Sequence, residues 1–264
     1  MKPVPFTYLR PEALDEALSA LAEGGDDAKV LAGGQSLVPA LNMRVLRPSA
    51  LVDINRVPGL DEVDRRNDAI VVGATVRQAD RSLHRHPMLA AVLPHVGHTV
   101  TRNRGTVCGS VAHADAAAEL PLALVATGGS AVAASVRGRR EIPAHELFLG
   151  PYTTGLAPDE LIVETIWPLP AEGEGSAFEE LALRGGDFAL CMAAARVLGD
   201  ELRVVVGAVT AVPTVLDVDP SKPGESAAEQ VEPWGSVHAT PAYLRQLVRV
   251  LVDRAVGRAR KAAT

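Results

Sequence analysis

The chain has 264 residues, of which 47% are hydrophobic and 22% charged, and its formal net charge is −6. This is the profile of a globular protein long enough for one large domain or two smaller ones. The acidic balance argues against nucleic acid as a partner, because phosphate recognition needs a basic face.

The first predicted element lies in "PEALDEALSALAEGG". Leu14, Ala17, Leu18 and Leu21 recur at helical spacing, and Gly24-Gly25 end the pattern. "AKVLAGGQS" reads as a strand running into a glycine-rich turn. "ALVDINRV" and "AIVVGATV" read as further short strands. A helix is expected across "PMLAAVLPHVGHTV", opened by Pro87. "RNRGTVCGSVAHADAAAELP" is the densest stretch of glycine, polar and small residues. "LPLALVATGG" reads as a helix with glycine after its end. "SAVAASV" and "ELIVETIWPL" read as strands. "PLPAEGEGSA", residues 168–177, is rich in Pro, Gly and Glu and is the expected domain boundary. It separates a first block, 1–168 (parts about 1–55 and 56–168), from a second, 177–264. In the second block "AFEELALR", "LCMAAARVL" and "ELRVVVGAV" read as strands, the last two joined as a hairpin at Gly199-Asp200. The alanines of "LCMAAARVL" leave a helix open there. "DVDPSKPGESAAEQVEPWG" is polar and proline-rich and reads as a loop. The last twenty residues form a helix with Leu244, Leu247, Val248, Leu251 and Ala255 on one face.

No apolar run approaches the roughly 20 residues that a bilayer span requires. The start, "MKPVPFTYLRPEAL", has no long apolar region of a signal peptide, so the cytoplasm is the expected location. The two cysteines, Cys108 and Cys191, are too few for an iron–sulfur cluster, which takes four.

Two segments carry the functional reading. In "AGGQSL", residues 32–37, paired glycines follow a strand. Glycine there signals a left-handed turn, or a backbone that must come close to something. "RGTVCGS", residues 104–110, is a second loop of small residues, followed by His113, Asp115 and Glu119. Backbone N–H groups in such loops can hold a diphosphate, and the carboxylates can accept hydrogen bonds from ribose or ribityl hydroxyls. On composition alone, tight turns needed for packing explain both loops as well. The G-x-G-x-x-G dinucleotide fingerprint and the Walker lysine motif are absent.

Read together, the motifs become specific. "AGGQSLVPALNMR", "VDINRVPGL", "VGATVRQAD", "RNRGTVCGSVAHADAAAELP", "PDELIVETIWPLP", "RGGDFAL" and "HATPAYLRQLVRVLVDRAV" occur in that order. The chain resembles the medium, FAD-binding subunit of the molybdenum hydroxylases, the carbon monoxide dehydrogenase and xanthine dehydrogenase group. The resemblance implies an α+β fold: a two-part FAD-binding domain of the vanillyl-alcohol-oxidase type, followed by a smaller α/β domain. It implies that Ala32, Gly33, Gly34, Gln35, Ser36 and Leu37, with Thr106, Val107, Cys108, Gly109 and Ser110, surround the FAD diphosphate. By the same resemblance Asp115 and Glu119 are the acidic residues beyond the second loop. Leu161 or Ile162 meets the adenine through its backbone, and Asp187 and Phe188 approach the flavin ring. No metal is bound by this chain. The implied job is electron transfer, from an iron–sulfur subunit fed by a molybdopterin subunit to NAD, a quinone or oxygen. A free-standing FAD oxidoreductase and a cofactor-free scaffold of the same fold are the alternatives.

Several positions depart from the family pattern. Cys108 stands where many relatives have glycine, Ser110 where they have asparagine, and Phe188 where they have tyrosine. A basic residue near Glu179 or Glu180 is missing, and 212–236 fits least well. Cys108 as a reactive thiol lacks a base beside it in sequence. Ser110, His113 and Asp115 have the residue types of a triad but not the spacing. His84 with His86 reads as a solvated helix-end pair, and His95 with His98 as a packed or exposed pair. Arg102 and Arg104 could meet a phosphate or a partner. The basic face of the last helix, Arg245 to Lys261, reads as solvated.

Overall fold

The computed structural model describes residues 2–263. The first part of the chain builds β1 (Thr7–Leu9), α1 (Leu14–Gly24), β2 (Ala28–Leu31), α2 (Leu37–Asn42) and β3 (Ala50–Asp53). The three strands form a parallel sheet in the order β1-β3-β2. α1 carries Asp15 and Glu16 in its first turn, where they complement the helix dipole. It buries Ala17, Leu18 and Leu21 in a cluster with Val52 and Ile54, and ends at Gly25, whose φ is 50°.

The second part runs β4 (Val63–Arg66), β5 (Ala69–Gly73), α3 (Pro87–Val92), α4 (Thr99–Arg102), α5 (Val107–His113), α6 (Glu119–Thr127), β6 (Ser130–Ser135) and β7 (Gly138–Pro143). It continues with α7 (Ala144–Leu147), the small pair β8 (Phe148–Gly150) and β9 (Thr153–Thr154), and β10 (Leu161–Pro168). Its antiparallel sheet has the order β4-β5-β10-β6-β7. All of α6 is buried, and between Glu119 and Thr127 at its ends the sequence is apolar on every face, as burial all round requires. Trp167 is fully buried, and its indole N–H donates to Thr165 Oγ1 at 2.9 Å.

The third part contains β11 (Gly175–Ala182), β12 (Ala189–Leu198), β13 (Glu201–Gly207), β14 (Thr214–Leu216), α8 (Pro223–Gln230) and α9 (Pro241–Ala262). The sheet is antiparallel in chain order. Alternate residues of β12 serve different cores. Met192 and Ala194 pack with α6, while Cys191, Ala193 and Ala195 pack with α9. A strand buried on both faces loses the apolar–polar alternation, so "LCMAAARVL" is a strand that resembles a helix in sequence. The segment 168–177 changes sheet, but one core crosses it: Phe178, Met192 and Val205 join the cluster of Leu120, Leu124 and Trp167.

Three expectations need correction. The helix across 87–100 is broken into α3 and α4. Pro94 cannot donate to the helix ladder, and Gly97 takes a left-handed φ of 47°. The loop expected at 217–235 contains α8, started by Pro223 at its first position. The second glycine loop is less a loop than the start of α5. There Thr106 is the N-cap and its Oγ1 accepts from Gly109 N–H at 3.0 Å.

Candidate functional site

β2 ends at Leu31, and the chain turns through Gly33 and Gly34 into α2. Gly34 has φ 73°, which admits glycine far more readily than other residues. Its carbonyl accepts from Val38 N–H at 3.0 Å. Gly33 is glycine for a different reason. A Cβ there would lie 2.5 Å from the Arg104 carbonyl oxygen and 2.7 Å from Gly105 Cα. The two segments singled out in the sequence therefore touch backbone to backbone, although about seventy residues separate them.

Side chains from neighbouring turns tie this junction. The Asn55 amide donates to the Ala32 carbonyl at 2.9 Å and to Asp53 Oδ1 at 2.6 Å. Its oxygen accepts from Arg77 Nη2 at 2.6 Å, and Arg77 Nη1 donates to the Arg104 carbonyl at 2.6 Å. Arg77 also pairs with Thr106 in an isolated bridge. Burial opposes ionisation of Asp53, but hydrogen bonds from Tyr8 and Asn55, aided by Arg10, outweigh it and hold the carboxyl below its ordinary range. Burial, and then the charge of Arg104, lower the Arg77 pKa, yet a guanidinium remains cationic.

Beside the junction lies an open groove of about 370 Å³. Its walls are Leu31, Ala32, Gly33, Gly34, Gln35, Val38, Pro39, Asp53, Asn55 and Arg104. Four of the six residues expected from the first segment thus face it. Ser36 and Leu37 continue into α2, with Ser36 exposed. Of the second segment, Thr106, Val107 and Cys108 are buried, while Gly109 and Ser110 are half-buried. Val107 and Cys108 turn their side chains into the core, leaving only backbone to offer a ligand. Cys108 is not among the left-handed residues, so its Cβ brings no strain. Its thiol lies 3.3 Å from the Val72 carbonyl, and burial pushes it up to about 12. That excludes an activated thiolate at neutral pH.

The remaining expected residues lie outside the groove walls. Asp115 accepts from Ala117 N–H at 2.9 Å and from the Tyr152 hydroxyl at 3.1 Å. The His113 ring lies 5.0 Å from that tyrosine ring. Ser110, His113 and Asp115 form no triad. Among the described residues no hydrogen bond links His113 to either, and burial lowers the His113 pKa. Glu119 begins α6 and is 6% exposed, and burial raises its pKa to about 7. Leu161 and Ile162 are buried in β10, paired with Ala134 and Ala133. Leu161 shares a core cluster with which Ala32 packs. Asp187 and Phe188 sit on the loop between β11 and β12. Gly186 in that loop packs against Gly97 and His98, just ahead of α4, and Phe188 is 70% exposed.

His86 is not solvated as expected. It is 2% exposed, and its Nε2 is 2.8 Å from the Pro168 carbonyl. His95 is half-exposed and lies 3.6 Å from Glu180. Among the described residues no group of three or more His, Cys, Asp or Glu is arranged to hold a metal, and no helix is long and apolar enough to cross a membrane. Asn55 and Arg77 are the residues at the candidate site that sequence reasoning missed. Both lie inside quoted motifs, "VDINRVPGL" and "VGATVRQAD", but only the fold reveals that they meet.

Comparison with known proteins gives this geometry a family. Residues 4–170 match the family model described as the FAD binding domain in molybdopterin dehydrogenase. The 6-hydroxypseudooxynicotine dehydrogenase complex subunit alpha of Paenarthrobacter nicotinovorans is 39% identical over 283 residues, covering 98% of this chain and 96% of that protein. A chain of quinoline 2-oxidoreductase from Pseudomonas putida 86 superposes with a TM-score of 0.92 at 35% identity, covering 100% of this chain and 99% of that one. A chain of the carbon monoxide dehydrogenase from Hydrogenophaga pseudoflava that lacks the Mo-pyranopterin moiety of its cofactor superposes with a TM-score of 0.94 at 28% identity, over 100% of both chains.

Proposed function

The chain belongs to the family of FAD-binding domains in molybdopterin dehydrogenases, and from that premise we propose that it holds the FAD diphosphate at the junction of residues 32–37 and 106–110. It is an FAD-binding oxidoreductase subunit of the molybdenum hydroxylase type. On this reading it takes electrons from an iron–sulfur subunit, which a molybdopterin subunit supplies. It delivers them to NAD, a quinone or oxygen in the cytoplasm. Residues 1–168 are the FAD-binding domain and 177–264 the smaller domain that follows it.

The observation that carries the reading is the backbone contact at Gly33. It brings the two segments together beside an open groove, where side chains do not fill the space. The chemistry of the walls fits an anionic diphosphate. Gly33 and Gly34 present backbone without Cβ atoms, and Arg104 adds a cation at the edge. The Gly109 N–H is already taken by Thr106, so Thr106 acts by shaping the start of α5. Asp115 and Glu119 follow that helix and are the carboxylates assigned to the ribityl chain or ring. Leu161 or Ile162 offers backbone to the adenine, and Asp187 and Phe188 offer a carboxylate and an exposed ring to the flavin. FAD, when bound, supplies a centre able to accept electrons singly and release them as a pair. The protein contributes binding, orientation and control of water.

The test is flavin retention. Wild-type protein loaded with FAD and passed through gel filtration is expected to keep its visible flavin absorbance, and Gly34→Val to lose it while staying folded. Equal retention by both would overturn the assignment. Iron and molybdenum co-purifying with larger subunits from the native source would support the partners, and their absence would favour a free-standing flavin oxidoreductase.

A further inference from the structure

Two polar side chains in turns of this fold, Asn55 and Arg77, spend their hydrogen bonds on the junction itself. Asn55 follows β3 and Arg77 follows β5, so each is carried by the end of a different sheet. The Asn55 amide is spent on the Ala32 carbonyl and Asp53, and its oxygen on Arg77. The second arm of the guanidinium reaches the Arg104 carbonyl. One planar cation and one planar amide thus fix the separation of the two segments. They also fix peptide orientation. In a trans peptide the C=O and the following N–H point in opposite directions. Holding the Ala32 carbonyl towards Asn55 therefore turns the Gly33 N–H the other way. The Asn55 amide cannot flip without facing its N–H₂ towards Arg77 and its oxygen towards the Ala32 carbonyl.

We propose that Arg77 and Asn55 are positioning residues that set FAD affinity by holding the two segments in register. The inference rests on the reading of the junction as the FAD diphosphate site. Neither residue is required to donate to the cofactor. Each acts through a carbonyl of the backbone that does. The arrangement also explains why Gly33 must lack a side chain: the strut draws the chains closer than a methyl group permits.

The test is a double-mutant cycle on FAD dissociation, read by flavin fluorescence titration of the full chain, with Arg77→Met, Asn55→Leu and the pair. Each single variant is expected to weaken FAD by roughly tenfold to a hundredfold, because a charge-assisted hydrogen bond left unmade has about that effect. The double variant is expected to lose little more than the worse single one, since both break one strut. Arg77→Lys, which reaches one acceptor but not two at once, is expected to recover part of the loss. Thermal unfolding of the FAD-free variants separates misfolding from mispositioning, and the strut predicts weakened binding in variants that still unfold cooperatively. Wild-type affinity in both single variants, while Gly34→Val abolishes binding, overturns the strut and leaves the site intact. Wild-type affinity in Gly34→Val as well overturns the site. Fully additive losses, or no recovery with lysine, also count against the strut.

Discussion

Gly33 illustrates how a missing methyl group decides a contact. A Cβ at 2.5 Å from a carbonyl oxygen cannot be relieved by rotating a side chain, because the obstacle is backbone. Gly33→Ala is expected to force the two segments apart, at a cost of about 1–3 kcal/mol in unfolding free energy, and to reduce FAD retention in the same preparation. Urea unfolding and the flavin-to-protein absorbance ratio check the two effects. Glu119 gives a second test. Burial raises its pKa from 4.5 to about 7 in the folded chain. Between those values the folded state holds more protons than the unfolded one, so this contribution to stability is present at low pH and lost as pH rises. Glu119→Gln removes the titration. In FAD-free protein it is expected to match wild type near about pH 5 and to exceed it by about 2–3 kcal/mol near about pH 8, as urea unfolding at the two pH values would show. The same gap at both would contradict it. Cys108, held at about 12 by burial, is expected to resist thiol reagents until the chain unfolds.

Helices and strands differ in how openly the sequence announces them. α1 and α9 were legible because one face alone is buried: Leu14 to Leu21 and Leu244 to Ala255 repeat at helical spacing. β12 was ambiguous because both of its faces are buried. α8 was missed because "PGESAAEQ" is polar along most of its length and buries only Pro223, Gly224 and Ala227. The start of α5 reads as a loop because its cap, Thr106, sits among glycines whose purpose is close approach. The close approaches themselves are invisible without partners. Gly175 shows this in the third sheet. A Cβ there would meet the Ala259 carbonyl of α9 at 2.0 Å. Gly175→Val is expected to lift α9 from β11, costing about 3 kcal/mol, with faster amide hydrogen exchange along 244–259. His86 is a buried element lock between α3 and the end of β10. Burial lowers its pKa below 6.5, so its contribution to stability is present above 6.5 and lost as pH falls below it. His86→Phe should flatten that acid slope.

At the level of the entire chain, α6 packs between the second and third sheets and joins them, while α1 packs against β6 and ties the first sheet to the second. Arg196 and Arg203 reach from β12 and β13 to its last carbonyls, Val125, Ala126 and Thr127, where positive charge suits the helix end. The ordered motifs indicate an FAD-binding family by themselves, because several of them, "AGGQSL" and "VDINRVPGL" among them, hold turns whose backbone must take one path. They gave no distances, and so could not tell which motif residues would form walls and which would form struts. Asp53 and Asn55 from "VDINRVPGL" and Arg104 stand with the glycines, while Phe188 stands on a separate loop. Amide hydrogen exchange with and without FAD tests this arrangement most directly. The account predicts that added FAD slows exchange in 32–37 and in 106–110 together. Protection confined to one of the two segments, or protection elsewhere with neither affected, would contradict it.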